Sequence, residues 1–169
     1  MNNNPFDNYK GTNDQSVRAN RPSFPMKWYN FLIRFALWVY AAVNIVYGFL
    51  YIAGGSQPEE MLASFPILST IDLLYGVLTL GMGVLALVTR FALANYKKNA
   101  PALIVGFHTY GLVISLGYNA LVLNITSSVY DPVDLIITGM SVGVTVIINA
   151  ALVGCNYVYF KKRKRLFNK

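Results

Sequence analysis

Residues 134–160 read DLIITGMSVGVTVIINAALVGCNYVYF, and residues 161–165 continue as KKRKR. Wound as an α-helix, an apolar run of this length crosses the ~30 Å hydrocarbon core of a bilayer. Its abrupt end on five basic side chains marks where the chain leaves lipid for headgroups and water. Three earlier stretches have the same character. They are FLIRFALWVYAAVNIVYGFLYIA at 31–53, IDLLYGVLTLGMGVLALVT at 71–89 and ALIVGFHTYGLVISLGYNALVLN at 102–124. Backbone groups in lipid must be satisfied within the segment, so all four runs should be helical despite their valine and isoleucine content. Pro58, Pro66, Pro101 and Pro132 fall in connections or first turns, where proline is tolerated.

The composition agrees. Of 169 residues 55% are hydrophobic and 12% charged, the latter about half the fraction usual in soluble domains. The net charge of +7 would suit a nucleic-acid partner, but the charges cluster between apolar runs instead of forming a basic face. Lipid, not nucleic acid, is the expected surrounding. A single cysteine, Cys155, excludes an internal disulfide, and no Cys/His spacing fits zinc. No metal or cofactor is expected.

Charge placement sets the topology. Lys10, Arg18, Arg21 and Lys27 precede the first span, Arg90, Lys97 and Lys98 separate the second from the third, and Lys161, Lys162, Arg163, Lys164, Arg165 and Lys169 follow the fourth. The other connections, GGSQPEEMLASFP and TSSVYDP, contain no Lys or Arg and carry Glu59, Glu60 and Asp131. Basic residues near span ends stay on the cytoplasmic side, which places both termini there. Residues 1–26, polar and Asn-rich without a signal-peptide core, read as a disordered cytoplasmic tail. Residues 27–160 form the membrane domain and 161–169 a basic cytoplasmic tail. Trp28, Tyr29, Tyr96, Tyr157 and Tyr159 stand where interfacial anchors are needed.

Inside the spans each helix has one face of polar or small residues, and the four faces should meet along the axis of a compact bundle. Asn44 and Asn149 lie near mid-span, where each should find a hydrogen-bond partner. Thr145 shares the face of Asn149, while Gly139 and Gly143 form a GxxxG pair suited to close helix contact. Asp72 and His108 are the ionisable candidates for a polar path. Both stand towards span ends, where a side chain reaches water by snorkelling. Catalysis lacks a basis: no paired carboxylates share a face, and no nucleophile–base spacing or HExxH occurs.

KWYNFLIRFALW at 27–38, TRFALANYKKNAP at 89–101 and YFKKRKRLF at 159–167 resemble a group of small four-span bacterial membrane proteins. The likeness covers roughly residues 26–168. Some members carry a zinc ribbon before the first span; this chain has no cysteine there, so no zinc role carries over. The resemblance implies a bacterial inner-membrane setting and no particular substrate.

The resulting expectation is an all-α, antiparallel four-helix membrane bundle without enzymatic activity, serving as a scaffold or accessory subunit that binds lipid or another membrane protein. The alternative is a small transporter or channel, formed by a homo-oligomer if one chain encloses too little space, with Asp72 or His108 as its titrating site.

Overall fold

The computed structural model describes residues 26–54, 57–129 and 131–167, the side chains of 132 and 134 excepted. All but Met26 of the expected N-terminal tail lies outside this range, as do Asn168 and Lys169. The protein is all-α. Its elements are α1 (Lys27–Ile52), the short α2 (Glu59–Ser64), α3 (Ile67–Ala94), α4 (Ala100–Thr126), α5 (Pro132–Lys161) and a terminal 3₁₀ turn (Lys164–Leu166). Four helices, α1, α3, α4 and α5, are long and apolar enough to cross a membrane. At 26 to 30 residues each they reach about 40 Å, more than the hydrocarbon thickness. α3, α4 and α5 continue beyond their hydropathy runs at both ends, whereas α1 starts earlier, at Lys27, and stops at Ile52, just inside its run.

Proline and charge set the boundaries. Pro101 and Pro132 sit in the first turns of α4 and α5, where the missing N–H has no intrahelical partner to lose. Glu59 and Glu60 occupy the first turn of α2, where carboxylates complement the helix dipole. At the α3–α4 turn the Tyr96 N–H bonds the Leu93 carbonyl at 2.9 Å and the Lys97 N–H bonds Ala92 at 3.0 Å. This paired pattern closes a helix with a left-handed residue, normally glycine. Here the residue is Tyr96, at φ 53°. Its ring stacks on Tyr29 at 5.5 Å and tilts against Phe167 at 5.9 Å, contacts that offset a backbone cost of about 1–3 kcal/mol.

Consecutive spans pack as neighbours: α1 on α3, α3 on α4, α4 on α5. The α1–α3 seam is the tightest. Along α3 the buried positions Asp72, Gly76, Thr79, Gly83 and Ala86 alternate in steps of four and three, giving one continuous stripe. Gly48 of α1 lies against Gly76, and Gly83 against Ala41 and Ile45. Small residues matter here because lipid supplies no hydrophobic force between helices, leaving close packing to hold them.

The fourth span departs from the expected compact bundle. α5 packs along α4, and no residue in its most apolar stretch is buried. The four faces therefore do not all converge on one axis. Among the described residues the bundle closes at the basic end, where Tyr29, Leu93, Ile104, Phe107, Phe160 and Phe167 share a core. The Trp28 Nε1–H donates to Asn156 Oδ1 at 3.0 Å and joins α1 to α5. Tyr29, expected as an interfacial anchor, is instead 4% exposed and donates its hydroxyl to the Leu93 carbonyl at 2.6 Å. The end of the basic tail likewise folds inward, with Phe167 inserted between Tyr29 and Phe160.

α1 is not uniformly α-helical. Leu32–Ala36 forms a π-helical segment. Beside it the Arg90 Nε–H of α3 donates to the Ile33 carbonyl at 3.1 Å, and its guanidinium lies 4.3 Å over the Trp38 ring. Arg90 thus fastens the second span to the irregular part of the first.

Candidate functional site

At the end away from the basic clusters, Asp72 is 1% exposed and receives the Tyr118 hydroxyl on Oδ1 at 2.8 Å. Gln57 Nε2 donates in turn to the Tyr118 oxygen at 3.2 Å. Tyr75 stacks on Tyr118 at 4.1 Å, and Tyr51 meets both rings edge-on at 4.7 and 5.4 Å. Asp72 therefore does not snorkel to water; it is held by a phenol donor within a packed triad of tyrosines. Position alone gave little sign of Tyr118, which near a span end reads as one more interfacial aromatic.

His108 occupies a separate environment. It is 2% exposed, in edge contact with Phe107 at 5.0 Å and Tyr40 at 5.8 Å, and its buried Nε2 has no hydrogen-bond partner. It stands ten positions before Tyr118 on the same helix, about 15 Å along the axis. The cleft that includes His108 is lined otherwise by α1 and Leu152 and does not include Asp72. The two ionisable candidates are not joined by this cleft.

Asn44 and Asn149 each find a hydrogen-bond partner, and both partners lie on their own helices. Asn44 Nδ2 donates to the Tyr40 carbonyl at 2.7 Å, and Asn149 Nδ2 to the Thr145 carbonyl at 2.9 Å. One N–H of each amide bonds its own helix, since a carbonyl one turn back is always within reach. A Cβ on Gly139 or Gly143 would meet nothing within 4 Å, so this GxxxG pair makes no close contact inside the chain. Glycine approaches of that kind occur in the α1–α3 seam instead. Thr145 is exposed and, with Ser141, faces Ser115 and Asn119 of α4 across a cavity of about 130 Å³.

Because α5 stands away from α1, an apolar seam opens between them. On one side of Trp28 a cleft of about 300 Å³ is walled by Phe35, Val39, Val43, His108 and Leu152. On the other, a cleft of about 470 Å³ is walled by Ile148, Ala151, Leu152 and Cys155. Trp28 and Leu152 line both clefts, which together form the groove between α1 and α5.

The basic residues after the fourth span divide into two kinds. Lys161, Lys162, Lys164 and Arg165 are exposed. Arg163 is half-buried, donating from Nη1 to the Tyr159 carbonyl at 3.2 Å with its guanidinium 3.8 Å over the Tyr159 ring.

No protein-family model, no curated protein and no solved structure matches this chain. Its functional reading therefore rests on the groove, the buried polar groups and the charge distribution.

Proposed function

We propose that this multi-pass membrane protein is a non-enzymatic accessory subunit of a bacterial inner membrane, binding a transmembrane helix of another membrane protein in the groove between α1 and α5. The orientation goes with this reading: the basic end lies in the cytoplasm, supported by the absence of Lys and Arg from the two opposite connections.

The observation that carries the proposal is the open apolar groove itself, whose walls leave Phe35, Val39, Val43 and Ile148 exposed on facing flanks of α1 and α5. Lipid chains fill an apolar groove without fixing a geometry. A helix brings its own satisfied backbone and a defined side-chain surface that packs closely against such walls. Transport, the alternative reading, has in its favour only the small polar cavity of about 130 Å³ between α4 and α5.

Photo-crosslinking from the groove tests this. A photoreactive residue at Val39 or Ile148 should trap one discrete polypeptide in the native membrane, whereas one at Leu74 or Val84, exposed on α3, should trap none. Adducts of equal yield from both sets, none from the groove, or only a dimer of this chain would each overturn the reading.

A further inference from the structure

At the basic end a second groove lies between α4 and α5, distinct from the α1–α5 seam. Its apolar part, about 660 Å³ with the rim included, is walled by Pro101, Ala102, Val105 and Gly106 on one helix and by Tyr157 and Phe160 on the other. Lys98, Lys161 and Lys164 form the rim. The same three lysines, with Lys162, Arg165 and Phe167, line an adjoining space of about 640 Å³. The two cavities thus form a continuous surface, strongly cationic at the helix ends and apolar further along them.

Three features distinguish this surface from a diffuse basic fringe. The cations come from both sides of the groove, Lys98 from the α3–α4 turn and the others from the end of α5 and the 3₁₀ turn that follows it. No ion pair among the described residues neutralises them; Glu59, Glu60, Asp72 and Asp131 all belong to the opposite end. At Gly106 the apolar wall lacks a side chain, and a Cβ there would meet nothing within 4 Å. From Lys98 to Gly106 the chain advances through the first turns of α4, roughly 10 Å into the membrane, which places a strip of open hydrocarbon surface beneath a cluster of ammonium groups.

We propose that this groove is a binding site for an anionic phospholipid, its phosphate held by Lys98, Lys161 and Lys164 and one acyl chain lying over Gly106 between α4 and α5. A zwitterionic lipid brings a cation of its own into the same cluster and is disfavoured. Basic pockets between helices at a membrane surface select acidic headgroups on this principle. The site is independent of the α1–α5 groove and of which way the chain is inserted.

Native mass spectrometry of the full chain, released from nanodiscs of phosphatidylglycerol and phosphatidylcholine with matched acyl chains, tests it. The wild type should retain phosphatidylglycerol at least tenfold more than phosphatidylcholine. Each of Lys98→Gln and Lys164→Gln should lower that retention about fivefold. Gly106→Leu fills the hydrocarbon strip without removing charge; it should lower phosphatidylglycerol retention severalfold while leaving the thermal unfolding temperature unchanged. Equal retention of both lipids overturns the site. So does unaltered retention in Gly106→Leu, which would leave only surface charge, and so does competition by glycerol phosphate, which has no acyl chain, as effective as that by the lipid.

Discussion

Gly48 and Gly76 face each other across the α1–α3 seam so closely that a Cβ on Gly76 would fall 2.8 Å from the Gly48 carbonyl oxygen, and one on Gly48 would fall 3.0 Å from that of Gly76. Each glycine is the space the other's backbone occupies. Alanine ordinarily favours a helix over glycine by about 1 kcal/mol, but here a backbone atom would have to move. Gly76→Ala should therefore destabilise the protein by about 1–3 kcal/mol, read as a lower midpoint of detergent-induced unfolding. Gly139→Ala, which meets nothing within 4 Å, should leave that midpoint unchanged or raise it slightly.

The Tyr118 hydroxyl on Asp72 carries the second prediction. Tyr118→Phe removes a donor from a buried carboxyl group while keeping the stack on Tyr75. The expected loss is about 1–3 kcal/mol, visible as a lower thermal midpoint. Gln57→Ala, which touches only the phenol oxygen from the loop side, should cost much less.

Tyr96 separates backbone from side-chain effects. Tyr96→Gly relieves the left-handed strain at φ 53° but loses the stack on Tyr29 and Phe167. Tyr96→Ala loses the stack and keeps the strain. Alanine should consequently be the more damaging by roughly 1 kcal/mol, an order that unfolding of the two variants checks directly.

At the basic end, Asn156→Leu breaks the hydrogen bond from Trp28 that joins α1 to α5. Such bonds are worth about 0.6 kcal/mol on average in membranes, so global stability should barely change. The consequence should be local: spin labels at Trp38 and Tyr157, both exposed, should report a broader distance distribution in the variant than in its parent.

The membrane spans were legible because two strong signals coincide in the sequence. The apolar runs are long, and their flanks differ sharply in charge: five basic residues end the fourth, while Asp131 precedes it. Packing was less legible, because nearly every helix face offers some glycine or polar residue. The Gly139/Gly143 pair matches a contact motif and makes no close contact within the chain, whereas Gly48, Gly76 and Gly83, spaced less conspicuously, hold the tightest seam. Periodicity locates a face on its own helix but does not say which neighbour it meets. Asn44 and Asn149 show a related ambiguity, since an amide in lipid is satisfied as well by its own helix as by another. Of the ionisable candidates, their presence was evident and their burial was not. Asp72 is enclosed by aromatic residues from three segments of the chain, an arrangement that only the assembled fold creates.

The π-helical stretch Leu32–Ala36 makes the first span two facets geared differently. A π turn holds a surplus residue, which rotates everything preceding it by about 100° relative to an unbroken α-helix. That offset lets Trp28 and Tyr29 address Asn156 and Leu93 while Ala41 and Gly48 keep their azimuth against the second span. Deleting one residue from FLIRFA would leave hydrophobicity and spanning length almost untouched, yet it would swing both rings away from their acceptors. Tolerance to insertion and deletion should thus be lowest in this stretch, although hydropathy alone marks nothing there beyond Arg34.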